Sequence, residues 1–173
     1  MDSRSGSALA SVMVFYTENN VAIIGARNLP TISNMINDAA TLPLLHTMKF
    51  PVRWGEMDVL GHVNNAQYLR YFEESRTAWC EEINRPLRNT GEGMILLKAT
   101  VTYRKPVSYP ADVRVDLRAG RVGNTSFDLI NTLFTGDEDE PACVGEFVIV
   151  WFDYTINQSK RVPDEVRKLL GAV

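Results

Sequence analysis

Only one long run of this chain carries the period of a helix, and most of the chain beyond it carries the period of a strand. Tyr68, Phe72, Ser75 and Trp79 recur at i, i+4, i+7 and i+11, which gives one buried stripe to a helix running to about Ile83. Glu73, Glu74, Arg76, Glu81 and Glu82 load its remaining surface with charge. Asn64 or Asn65 can cap its start, because an asparagine side chain satisfies the free amides of a first turn. Four strand candidates come after it. Met94 to Val107 is long and β-branched and ends before a Tyr109-Pro110 turn. Val113, Val115 and Leu117 alternate with Arg114, Asp116 and Arg118, so that strand has one wet face. Beyond a Gly123-Asn124 turn, Phe127, Leu129 and Leu133 share a face between Ser126 and Thr135. Cys143 to Tyr154 contains the unbroken run FVIVWF, the pattern of a strand covered on both sides. Ahead of the helix, Lys49 to Trp54 reads as a fifth strand. The expectation is an α+β domain, a five-stranded antiparallel meander wrapped around one long helix. One helix cannot cover both faces of such a sheet, so an exposed face or edge should serve oligomerisation.

The ends of the chain read differently. Pro163 opens a short final helix, where a proline costs no hydrogen bond. Residues 1–47 lack the pattern quality that begins at Met48. MDSRSGSALAS is polar and small, and VMVFY and VAIIG flank TENN as a candidate hairpin. The segment to His46 has no clean period. We treat 1–47 as an N-terminal extension and 48–173 as the folded domain.

Bulk properties exclude several functions. A net charge of -3 with pI near 5.4 does not suit a nucleic-acid binder, which needs a basic surface for phosphates. No apolar run reaches the roughly 18 residues of a membrane-spanning helix. The two cysteines, Cys80 and Cys143, form no CxxC and have no histidine nearby. They imply neither a zinc site nor a disulfide framework, and they fit a reducing, cytoplasmic setting.

Chemistry concentrates in RWGEMDVLGHVNNAQYLRYFEESR, Arg53 to Arg76. Asp58 is the leading candidate: a carboxylate on a loop before a helix can attack an electrophilic carbon or activate a water. As a bare residue, an aspartate three before Gly61 is also a common turn former. The helix start just after this loop offers unpaired amides and the positive end of a dipole. Glu56 lies two residues before Asp58 and reads as structural or solvated. Glu73 and Arg76 are spaced to pair with each other. Neither cysteine has the setting of an activated thiol. Arg104, Lys105, Lys160 and Arg161 are candidate phosphate partners, or plain charged surface.

This string resembles the signature of hotdog-fold thioesterases of the 4-hydroxybenzoyl-CoA thioesterase type. The matching positions are Asp58, Gly61, Tyr68, Glu73 and Arg76, and the likeness runs from Met48 to about Leu170 through the NTSF turn and the VGEFVIVWFD strand. It implies a hotdog fold, a thioesterase acting on acyl-CoA, and a dimer or tetramer. It also implies catalytic roles for Asp58 as base or nucleophile and for the backbone amide of Asn65 as oxyanion donor. Gly61, Asn64 and Tyr68 would support substrate binding, with no metal and no cofactor. The GHVNN wording is similar to plant acyl-carrier-protein thioesterases, which place a histidine of the site where this chain has His62. Those enzymes also carry an asparagine two residues after the aspartate, where this chain has Leu60. Acyl-carrier-protein (ACP) thioesters are thus an alternative substrate. A hotdog dehydratase and a non-catalytic acyl-CoA-binding module are the competing readings.

Overall fold

In the computed structural model the described residues are 14–17, 20–23, 41–85 and 91–172. The polar start, the unpatterned segment as far as residue 40 and most of the expected turn after the long helix lie outside them. The chain divides into two units, Met1–Asp38 and Ala39–Val173. In the first, β1 (Val14–Thr17) pairs antiparallel with β2 (Asn20–Ile23), on the two runs read as a hairpin.

The second unit is built on a mixed-order antiparallel sheet and one long helix. Its elements are β3 (Leu44–Pro51), α1 (Asn65–Glu82), β4 (Glu92–Tyr103), β5 (Asp112–Val122), β6 (Ser126–Thr135), β7 (Cys143–Asp153), β8 (Gln158–Ser159) and α2 (Asp164–Leu169). The strand order is β3-β5-β6-β7-β4, with the two-residue β8 on β7. Only β5, β6 and β7 form the expected meander. β4 crosses to the far side and pairs with β7 from Glu92↔Asp153 to Tyr103↔Cys143. β4 and β3 are therefore the edges.

Three boundaries differ from the sequence reading, each for a local reason. β3 begins at Leu44, inside the stretch assigned to an extension, because Leu44 to Met48 pair with Arg118 to Val115 on β5. As an edge strand with most positions half-covered or open, it carries little hydrophobic alternation to read. It also stops at Pro51, and Trp54–Glu56 form a 3-10 turn. β4 ends at Tyr103 rather than Val107, where the amides of Arg104 and Lys105 both turn to the carbonyl of Ala142. The apolar run of β7 alternates in burial: Phe147, Ile149 and Trp151 are buried, while Val148 and Val150 are only half-covered. It is central in the sheet but covered fully on one face alone.

That covered face holds the core. Tyr68, Phe72, Ser75 and Trp79 are all buried, as their spacing predicts, together with Tyr71 and Cys80. They meet Val113, Val115 and Leu117 of β5, Phe127, Leu129 and Leu133 of β6, and Phe147 of β7 in one cluster. Each large apolar side chain so buried contributes roughly 1.5–3 kcal/mol. Helix and sheet approach closely at Gly145, where an added Cβ would lie 2.8 Å from the Phe72 ring and 2.6 Å from Phe147. Phe72 and Phe147 pack edge to face at 5.6 Å. This packing fixes the start of α1 over the end of β4, and the candidate site is there.

Candidate active site

The loop between the 3-10 turn and α1 is closed on itself before any tertiary contact holds it. Met57 and Val63 pair as an isolated antiparallel bridge. Inside it, the Asp58 amide donates to the His62 carbonyl at 2.8 Å and the Gly61 amide donates to the Asp58 carbonyl at 3.0 Å. Gly61 has φ +77°, a left-handed conformation that other residues adopt at a cost of about 1–2 kcal/mol. One carboxylate oxygen of Asp58, Oδ1, accepts the Leu60 amide at 2.8 Å. Asp58 is thus a turn former, as its bare spacing suggests, and its other oxygen has no hydrogen-bond partner among the described residues.

A second loop clamps the first. Val63 donates its amide to the Val107 carbonyl at 2.8 Å, the Ser108 hydroxyl donates to the Gly61 carbonyl at 3.1 Å, and the Tyr109 amide approaches the Met57 sulfur at 3.4 Å. Glu56 anchors the other side. Its Oε2 accepts the Arg53 amide at 2.7 Å and the Tyr71 hydroxyl at 2.6 Å. Burial and this bond hold the Tyr71 phenol well above its ordinary pKa. Glu56 is structural, and its carboxylate is committed elsewhere than Asp58.

The cap of α1 is Asn64, whose Oδ1 accepts the Ala66 amide at 3.0 Å. Its own amide donates to the Glu56 carbonyl at 2.8 Å and its carbonyl accepts the Gln67 amide at 2.9 Å. The Asn65 amide is left without an acceptor among the described residues, as expected of a first helical position. An unpaired N–H at the positive end of a helix dipole is suited to an anion or a developing oxyanion.

Asp58, His62, Val63, Asn65 and Tyr68 line one cleft of about 310 Å³, together with Tyr103 to Pro106. The fold thus brings together six of the residues singled out from the sequence: Asp58, His62, Asn65, Tyr68, Arg104 and Lys105. Neither Gly61 nor Asn64 lines the cleft; both act through the backbone that shapes it. Tyr68 is buried and meets Tyr103 edge to face at 5.2 Å. Burial raises the pKa of Tyr68, with smaller contributions that include the Asp58 charge.

Several readings of charge are settled by partners. Glu73 pairs with Arg70 at 3.3 Å rather than with Arg76. The Arg76 guanidinium instead lies 4.4 Å above the Phe147 ring, where burial lowers its pKa. Lys160 pairs with Glu92 and Arg161 with Asp164, and neither lines the cleft. Lys105 does line it, but Glu140 at 2.9 Å and Glu138 at 3.2 Å hold it and raise its pKa. Arg104 has no acidic partner within ion-pair distance among the described residues. Among those residues, too, no group of three or more His, Cys, Asp or Glu side chains could hold a metal ion, and no helix is long and apolar enough to cross a membrane.

Sequence reasoning missed Val63, Tyr103 and Pro106. Tyr103 is 38 residues from Asn65, and no spacing rule spans that distance. The one available signal for Tyr103 was that its strand runs into a polar, proline-containing corner.

Comparisons with known proteins fit this geometry. A family model described as the thioesterase-like superfamily matches residues 52–170. The chain is similar to a protein of Pseudomonas aeruginosa of solved structure, described as a proposed thioesterase, with 44% identity and a TM-score of 0.69. That match covers 72% of this chain and 97% of the other. A chloroplast acyl-acyl carrier protein thioesterase of Arabidopsis thaliana is 25% identical, over 73% of this chain and 68% of its own. A 1,4-dihydroxy-2-naphthoyl-CoA thioesterase of Synechocystis shares the fold at 15% identity and a TM-score of 0.66, across 74% of this chain and 96% of the other.

Proposed function

The chain belongs to the thioesterase-like superfamily, and we propose that it hydrolyses an acyl-CoA thioester to the free acid and CoA. The observation that carries this reading is the shared cleft, lined by Asp58, which has one carboxylate oxygen open, and by Asn65, which has its amide unpaired among the described residues. Thioester hydrolysis needs both. A carboxylate takes a proton from the attacking water or attacks the carbonyl carbon itself, and a donor meets the negative charge that develops on the carbonyl oxygen. The C–S bond then breaks and the thiolate leaves, with no Lewis acid required for so good a leaving group; where the carboxylate itself has attacked, water then hydrolyses the mixed anhydride to the free acid and restores Asp58. His62, exposed on the same loop and on the cleft, orients the substrate or the water.

Tyr68 and Val63 give the cleft an apolar side for the acyl or pantetheine portion, and Arg104 supplies a cation for a phosphate. A non-catalytic binder would gain little from a carboxylate set against its ligand, since a charge beside apolar groups is costly. Leu97, 65% exposed on the edge strand β4, supports a homodimer formed at that strand. Both cysteines are buried and free, which suits a cytoplasmic enzyme. Residues 1–38, outside the catalytic unit, are proposed to be dispensable for turnover.

Thiol release from a panel of acyl-CoA and acyl-ACP substrates tests the assignment. Turnover of at least one acyl-CoA, at a higher kcat/KM than the matching acyl-ACP, is expected. Tight binding without turnover across the panel would leave a binding module in place of an enzyme.

A further inference from the structure

Tyr103, the last residue of β4, lines the cleft, and its hydroxyl reaches the helix start. It donates to the Asn65 carbonyl at 3.0 Å. Its ring packs edge to face on Tyr68 at 5.2 Å, so the hydroxyl is delivered by a braced side chain rather than a free one. The other end of the residue is also held. The preceding peptide is fixed by the Asn64 amide on the Glu56 carbonyl and by the Asn64 cap on Ala66. Asn65 is therefore gripped on its N-terminal side by the catalytic loop and on its C-terminal side by Tyr103, while its own N–H stays open.

We infer that Tyr103 is a positioning residue for the oxyanion donor, fixing the Asn65 backbone so that its N–H stays aimed at the cleft. This rests on the thioesterase reading above and deepens it. First turns of helices fray readily, and a donor misplaced by about 1 Å can cost on the order of 10²-fold in rate. The oxyanion charge develops in the transition state, so loss of aim lowers kcat and leaves ground-state binding of the thioester almost untouched. A residue that only stabilised the fold, or only touched substrate, would not produce that split.

The test compares Tyr103→Phe with Tyr154→Phe in steady-state hydrolysis of the best acyl-CoA of the panel. Tyr154 makes the same kind of bond, hydroxyl to a backbone carbonyl of β4, with Met94 at 3.2 Å, and lies off the cleft. Tyr103→Phe should lower kcat by about ten-fold or more with KM within about two-fold and a melting temperature matching that of Tyr154→Phe. Tyr154→Phe should keep the wild-type kcat. An unchanged kcat in Tyr103→Phe, a rise confined to KM, or an equal fall in Tyr154→Phe would overturn the inference while wild-type turnover leaves the thioesterase reading standing. Absence of wild-type turnover would overturn both.

Discussion

At the scale of single residues, what matters at this site is which polar atoms are already occupied. Asp58 has one oxygen bound to the Leu60 amide and one open, Glu56 is occupied by Arg53 and Tyr71, and Lys105 is held by Glu138 and Glu140. The cysteines are occupied in another sense. Burial pushes the thiols of Cys80 and Cys143 up to about 12, so the thiolate that reacts with alkylating agents is scarce at neutral pH. Native protein at pH 8 should therefore take up almost no iodoacetamide, and two equivalents once unfolded in guanidinium, as read by mass spectrometry. Labelling of either cysteine in the native state at the rate of a free thiol would contradict the burial described. Asp58 and Asn65 were singled out through the family resemblance of their string, and what local chemistry alone offered was a turn-forming carboxylate and a helix start. Arg76 and Glu73 were misread on local spacing alone. Their spacing allows a pair, but only the tertiary position of Phe147 shows that Arg76 faces the core and that Glu73 is left to Arg70.

At the scale of elements, α1 has two jobs that depend on its first turn. Its apolar stripe anchors it to the sheet, and its first residue, Asn65, lines the cleft with an N–H that has no acceptor among the described residues. Asn64→Ala removes the side-chain bond to the Ala66 amide, which should cost about 1 kcal/mol of stability, measured as a shift in the urea midpoint. Activity should fall further than that loss of stability alone explains, because Asn65 comes directly after the cap. A stable variant with wild-type kcat would show that the cap and the donor are independent. The helix and strands β5 and β6 were legible because a strong period extends through them, and Ser126–Thr135 was bounded to the residue. β3 was not, since a half-open edge strand is selected for its backbone pairing and shows little pattern.

At the scale of the whole catalytic unit, strand order decides how the site is assembled and what is left uncovered. A simple meander would have put β4 beside β5. Its actual pairing with β7 makes it an edge, and sequence alone carries no record of that choice because alternation is the same in either place. A bulge between Leu96 and Lys98 leaves Leu97 unpaired in the ladder and exposed on that edge. Edge strands with exposed apolar side chains invite association. Sedimentation should give a species of twice the 19.4 kDa chain mass, and Leu97→Lys should shift it toward the monomer. A monomeric wild type at micromolar concentration would contradict the dimer.

The central claim is that this fold exists to bring one carboxylate and one free amide to the same cleft. Asp58→Asn tests it most directly, because the amide preserves size and can still accept the Leu60 hydrogen bond that shapes the loop. At saturating acyl-CoA, kcat should fall by roughly 10²–10⁴-fold, with KM within a few-fold and the melting temperature close to wild type. A kcat within a few-fold of wild type would contradict the account.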